Sequence, residues 1–128
     1  GLDETIMLLG RRTDVPAVMS ALDVHVLPSA YGEAFPNVVA EAMACETPCV
    51  VTDVGDAAYI VSDTGWVVPP REPATLADAI ELAIKESRES NWQNRCRTAR
   101  AFIEKNFSIH SMVEAYQCLW REALNNRK

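Results

Sequence analysis

The sequence predicts an α/β protein of three layers, with a mainly parallel sheet between helices. Three observations carry this. Short apolar runs begin near residues 6, 24, 49 and 66, and none alternates apolar with polar. Strands covered on both faces by crossover helices have that composition. Between the runs lie stretches with apolar residues at helical spacing. Gly, Pro, Asp and Ser punctuate the junctions. Strand then helix, repeated, is the order of a parallel α/β unit, with right-handed crossovers.

The elements follow in order. Residues 1–5 are a polar lead-in, and Ile6 to Leu9 form the first strand, closed by Gly10. Arg11, Arg12 and Thr13 make a loop. Its two charges suit a phosphate or a base, or simply solubilise the surface, the reading favoured for the side chains. Asp14 is placed to cap a helix carrying Val15, Val18, Met19 and Leu22 on one face. Val24 to Leu27 form the second strand. His25 lies inside it with no acid or cysteine at ligand spacing, so it reads as packing. Ser29 has no base nearby and is not a nucleophile.

The next helix begins at Pro36, whose missing N–H and fixed φ suit a first position. Its stripe is Val38, Val39, Ala42, Met43 and Cys45. Cys49 to Thr52 is a strand, Asp53 to Asp56 a turn containing Gly55, and Ala57 to Val61 a short helix. Trp66 to Val68 is an edge strand ended by Pro69 and Pro70. Pro73 to Lys85 is a helix with Leu76, Ala79, Ile80, Ala83 and Ile84 on one side. Asn91 caps another, striped by Trp92, Cys96, Ala99, Phe102 and Ile103, with Arg95, Arg97 and Arg100 on its solvated surface. Asn106 and Phe107 break that pattern. Ser108 or Ser111 caps a last helix with Met112, Val113, Tyr116, Leu119, Trp120 and Ala123.

The chain has 128 residues, 48% of them hydrophobic, enough for one domain with a core. A net charge of −6 gives no general attraction for nucleic acid. The four cysteines lack zinc-like spacing. Cys45 and Cys49 read as small buried hydrophobes. A cytosolic, reducing location fits. No glycine-rich phosphate loop occurs.

The chemistry concentrates in GEAFPNVVAEAMA, Gly32 to Ala44. Glu33 lies in a loop and Glu41 on the helix that follows. A helix N-terminus offers unpaired N–H groups and partial positive charge, a place for a phosphate. Two acids beside it suit a ligand bearing both hydroxyls and phosphates, that is, a nucleotide sugar. The plainer alternative is a pair of surface acids, favourable against the helix dipole.

This segment resembles the signature of the retaining glycosyltransferases of the GT-B fold, family four: a Glu, seven residues, a second Glu. LGRRTDVPAVMSALDVHVLPS before it, TDVGDAAYIVSDTGWVVPPREPATLADAIELAI after it and the terminal NFSIHSMVEAY extend the likeness over nearly the whole chain. The resemblance implies an incomplete Rossmann-like α/β/α domain, part of the C-terminal half of such an enzyme. Residues 1–106 would be a partial donor-binding domain. Residues 107–128 would be a helix crossing to an acceptor domain absent here. By the same resemblance, Glu41 takes the ribose hydroxyls. Glu33 sits at the transferred sugar, orienting it or supporting charge rather than attacking. The backbone of Ala34, Phe35 and Pro36 lines the donor, and the N–H groups of Asn37 and Val38 meet the phosphates. Arg12 falls in a loop near the base.

The donor would be a UDP- or GDP-sugar, with no metal or cofactor required. The acceptor would be a glycan or lipid-linked molecule in cell-surface polysaccharide or glycolipid synthesis. Work at the inner face of the membrane would come through the absent domain, whereas the Arg/Lys clamp on the diphosphate would lie in an absent first part of the donor half, and Arg11 and Arg12 do not match it in position. An unpaired sheet edge would favour self-association. The rival readings are a non-catalytic nucleotide-sugar or protein-binding module, and a GT-B epimerase. An upstream acceptor domain with the clamp would decide for the transferase. Three positions depart from the family: Ala34 and Glu46 where Gly is usual, and Tyr59 where Glu is usual.

Overall fold

A computed structural model describes residue 2 and residues 4–126. Its centre is a parallel sheet of three strands, β1 (His25–Leu27), β2 (Cys49–Thr52) and β3 (Trp66–Val68), in the order β1-β2-β3. Val26 faces Val50 across the first pair, and Val51 faces Val67 across the second. Six helices accompany it: α1 (Val15–Ser20), α2 (Asn37–Ala44), α3 (Ala57–Val61), α4 (Pro73–Glu86), α5 (Trp92–Asn106) and α6 (Ile109–Asn125).

The central strand explains the layering. All four residues of β2 are buried. Successive side chains of a strand point to opposite faces, so Cys49 and Val51 enter one core and Val50 the other. The first core gathers Met19 of α1, Val39, Ala42 and Met43 of α2, Ile60 and Val61 of α3, and Ala99 and Ile103 of α5. The second packs Val50 and Val68 against Ala79 and Ala83 of α4. The three-layer arrangement follows the strand–helix order of the sequence.

One expected strand does not form. Ile6 to Leu9 has no ladder partner, and its side chains are 50–93% exposed. A short apolar run becomes a strand only where a neighbouring ladder and a covering layer receive it, and the described residues provide neither. Helix starts also differ in detail. Pro36 is the N-cap of α2, with ψ 91°, and the helix begins at Asn37. Asp14 occupies the N-cap of α1 but makes no side-chain cap bond. Its carboxylate instead takes two bonds from Arg12, at 2.8 and 2.6 Å, which hold the Asp14 carboxyl below its usual range. Asn91 is the N-cap of α5 without a side-chain cap bond. Ser108 caps α6, its hydroxyl accepting from the Ser111 N–H at 3.1 Å.

Two polar expectations are refined. Arg95 is not merely solvated. It donates to Glu86 of α4 at 2.7 Å and to the Thr64 carbonyl at 3.1 Å, and its guanidinium lies 4.7 Å over the Trp66 ring. Cys49 is buried, which pushes its thiol up to about 12, whereas Cys45 is only half-buried. His25 packs inside β1 as expected, and burial holds its pKa below 6.5.

The C-terminus of α2 closes on Glu46, with φ +64°. The Glu46 N–H donates to the Met43 carbonyl and the Thr47 N–H to the Ala42 carbonyl, both at 3.0 Å. That pairing is a Schellman motif, whose left-handed residue is ordinarily glycine. The side chain of Glu46 reaches Arg100 only at 4.0 Å, on an exposed surface. Such a contact contributes little. A non-glycine residue in the left-handed region costs about 1–2 kcal/mol. Glu46→Gly is therefore expected to stabilise the protein by about 1 kcal/mol in urea titration. An unchanged or lowered midpoint would show that the strain is not there.

Candidate active site

In an open parallel sheet, ligands bind beyond the carboxyl ends of the strands. Here that end carries the loops leaving β1 and β2, residues 28–36 and 53–56. A hollow of about 530 Å³ bordered by Asp23, Glu46, Trp92 and Arg100 lies at the opposite end, beside the start of β1 and the last turn of α2.

Glu33 is held in the first of these loops, half-buried. The Ser29 hydroxyl donates to its Oε1 at 2.6 Å. The Ser29 carbonyl in turn accepts from the Thr52 hydroxyl at 2.6 Å. A chain of bonds thus runs from the end of β2 to the Glu33 carboxylate. The expectation that Ser29 has no base nearby is corrected: Glu33, four residues on, brings its carboxylate to the hydroxyl, and the bond orients the acid.

The neighbouring loop locks the same peptide from the other side. The Asp56 N–H donates to the Ala34 carbonyl at 2.7 Å. Gly55 has φ +58°, and a Cβ there would stand 2.5 Å from both the Glu33 and the Ala34 carbonyl oxygens. Only glycine permits this approach. Ala34 itself does not take positive φ, so the alanine in place of the family's glycine is unstrained.

From Ala34 the chain passes through Phe35, whose ring turns to Phe107 at 5.6 Å, and the buried Pro36. Pro36 has no side-chain donor or acceptor to cap α2. Among the described residues, no backbone carbonyl accepts from the N–H groups of Asn37 and Val38. The helix therefore presents free donors and its partial positive charge beside Glu33. Glu41 lies one turn further along α2, exposed. Its Cα–Cβ bond tilts toward the N-terminus, as in any α-helix. Glu33, Ala34, Phe35, Pro36, Asn37, Val38 and Glu41 thus lie on one loop and the opening turns of one helix. Arg12 is not joined to them by any hydrogen bond or ion pair; Asp14 holds it.

Residues 1–86 match the family described as Glycosyl transferases group 1. The chain belongs to this family. Among curated relatives of this glycosyltransferase chain, N-acetyl-alpha-D-glucosaminyl L-malate synthase of Bacillus anthracis is 28% identical over 130 residues, which cover 99% of the chain and 33% of that protein. A glycosyltransferase from Rickettsia africae superposes with a TM-score of 0.86 at 23% identity, over 98% of this chain and 34% of its own. HepE of Anabaena, solved in complex with UDP, superposes with a TM-score of 0.84 at 27% identity, over 95% and 34%. The fold is that of a GT-B glycosyltransferase, and the chain spans about a third of the length of these proteins. No described helix is long and apolar enough to cross a membrane.

Four residues at or behind the site escaped sequence reasoning as site residues: Ser29, Thr52, Gly55 and Phe107. Gly55 had a signal, a glycine between two turn aspartates just past a strand. The others act through partners 4 to 72 positions away, and spacing does not reveal those.

Proposed function

We propose that this chain forms part of the donor-binding domain of a retaining sugar transferase that uses a nucleoside-diphosphate sugar, UDP- or GDP-linked. The carrying observation is the uncapped α2 N-terminus, with its free Asn37 and Val38 N–H groups set beside an oriented Glu33. The UDP complex of HepE, alike over 95% of the chain, supports the nucleotide. Glu41 takes the ribose hydroxyls. The backbone from Ala34 to Val38 meets the diphosphate. Glu33 orients the sugar through its hydroxyls, with Ser29 fixing the carboxylate.

In the reaction the bond from the anomeric carbon to the diphosphate oxygen breaks and a bond to an acceptor hydroxyl oxygen forms. The acceptor proton passes to the departing diphosphate or to water. The N–H groups of α2 stabilise the charge that develops on the leaving phosphate. The acceptor is a glycan or lipid-linked hydroxyl, and no metal or cofactor takes part. The α6 helix supports an acceptor domain outside this chain: Met112, Tyr116, Leu119 and Trp120 lie on it 52–64% exposed. The enzyme works in the cytoplasm, at the inner face of the membrane.

The test is stereochemical. The full-length protein is supplied with α-linked UDP- and GDP-sugars, and the first-formed product is followed by proton NMR before it mutarotates. The expected product is the α-anomer, from transfer or from slow donor hydrolysis. A β-anomer rejects retention, and nucleotide binding without turnover of any donor selects the non-catalytic module.

A further inference from the structure

We infer that Phe107 is a positioning residue for the donor loop, acting through Phe35 on Glu33 and the start of α2; this rests on the reading of that loop as the donor site. Phe107 lies 72 positions further along the chain, at the junction of α5 and α6. Its backbone is pinned on both sides. Its N–H donates to the Ile103 carbonyl at 2.9 Å, closing α5. The next residue, Ser108, caps α6, and the Ser111 hydroxyl returns to the Lys105 carbonyl at 2.7 Å. A ring on so fixed a backbone is an anchor.

Three rings converge on it: Phe35 at 5.6 Å, Tyr59 at 5.5 Å and Phe102 at 5.9 Å, all tilted or edge-on. Those geometries are the favourable ones for aromatic pairs. Phe102 and Tyr59 sit on helices already tied into the core or beside it. Phe35 does not. It belongs to the loop between Glu33 and Pro36, is 39% exposed, and has Phe107 as its ring partner. The loop is thus gripped twice. Gly55 and Asp56 hold the carbonyl side at Glu33 and Ala34. Phe107 holds the side chain of Phe35, which keeps that ring out of the donor face and leaves the loop backbone turned to the ligand. Loss of the ring frees the segment leading into α2, so the Asn37 and Val38 donors lose their fixed relation to Glu33.

The experiment uses the full-length protein. Phe107→Leu removes the ring and keeps bulk. Phe102→Leu removes a ring from the same cluster that does not meet Phe35, and serves as the control for stability. Phe35→Leu breaks the contact from the loop side, and Phe107→Tyr restores a ring. Amide hydrogen exchange is read with no ligand present at Asp56 and Val39, whose N–H groups bond to the Ala34 and Pro36 carbonyls of the loop, and donor KM and kcat are read separately.

Phe107→Leu and Phe35→Leu are expected to speed exchange at Asp56 and Val39 about tenfold beyond Phe102→Leu, to raise donor KM, and to be non-additive when combined. Phe107→Tyr returns both readouts toward the wild type. Equal exchange at Asp56 and Val39 in Phe107→Leu and Phe102→Leu, or additive effects of Phe35→Leu and Phe107→Leu, overturns the inference. If Phe107→Leu fails to fold, Phe35→Leu against Phe102→Leu decides it. Faster exchange at Asp56 and Val39 in a protein that binds neither UDP nor GDP would sustain the loop anchor and reject the donor-site reading.

Discussion

Gly55→Ala is expected to destabilise the protein by about 2–4 kcal/mol and to abolish tight nucleotide binding by the full-length protein. Two costs combine. The backbone at Gly55 has φ +58°, a conformation that costs a residue with Cβ about 1–2 kcal/mol. The added carbon would also stand 2.5 Å from two carbonyl oxygens, those of Glu33 and Ala34. These are backbone atoms and cannot swing aside as a side-chain tip would. The loop must move, and the Asp56 N–H bond to the Ala34 carbonyl goes with it, worth about 1 kcal/mol. Gly55→Asn separates the two costs. Asparagine tolerates the left-handed region but carries the same Cβ, so it should restore little. Urea titration measures the stability and calorimetry the binding of UDP or GDP. A loss below about 0.5 kcal/mol with unchanged affinity would show that the two loops are not locked together.

Features set by near neighbours in the chain are legible in the sequence, and those set by distant partners are not. The β2 strand was legible because Cys49 to Thr52 is a short apolar run between a helix and a glycine turn, and the structure buries all four residues. The helices α4, α5 and α6 were legible from their stripes. Ile6 to Leu9 has the same local character as β2 but no ladder to join, and pairing is not written in a single run. Asp14 is the N-cap of α1 as read from the sequence, but its side-chain cap bond is missing for a related reason. Arg12, two residues earlier, offers the carboxylate a charged partner in place of a backbone N–H. In the site, the paired acids Glu33 and Glu41 and the proline-led helix announce themselves by spacing. What holds them does not: Gly55 meets Glu33 across 22 positions, and Phe107 meets Phe35 across 72. Glu46 shows the converse. The sequence there departs from glycine, yet the backbone keeps the glycine conformation, because the Schellman bonds and burial of Thr47 fix the turn.

The two motif acids are expected to separate binding of the nucleotide from handling of the sugar. Glu41 stands exposed one turn into α2, with no partner among the ion pairs or side-chain bonds of the described residues. Its carboxylate is available to hydroxyls. Bonds of that charge-assisted kind contribute about 1.5–3 kcal/mol. In the full-length enzyme, Glu41→Ala should therefore weaken free UDP or GDP about tenfold or more. Glu33 is different. It is half-buried, fixed by Ser29 at 2.6 Å, and set before the helix rather than on it. With the sugar as its proposed partner, Glu33→Ala should leave the free nucleotide within about twofold. The intact nucleotide sugar should weaken and kcat should fall, because an interaction that orients the reacting sugar strengthens toward the transition state. Neither change should cost more than about 1 kcal/mol of stability, since one side chain is in solvent and the other makes a single bond to a serine. Calorimetric titration of both variants with nucleotide and with nucleotide sugar, beside turnover, measures all of this. Equal losses for both ligands in both variants would reject the division. No loss in either would make Glu33 and Glu41 surface acids favoured only by the dipole of α2.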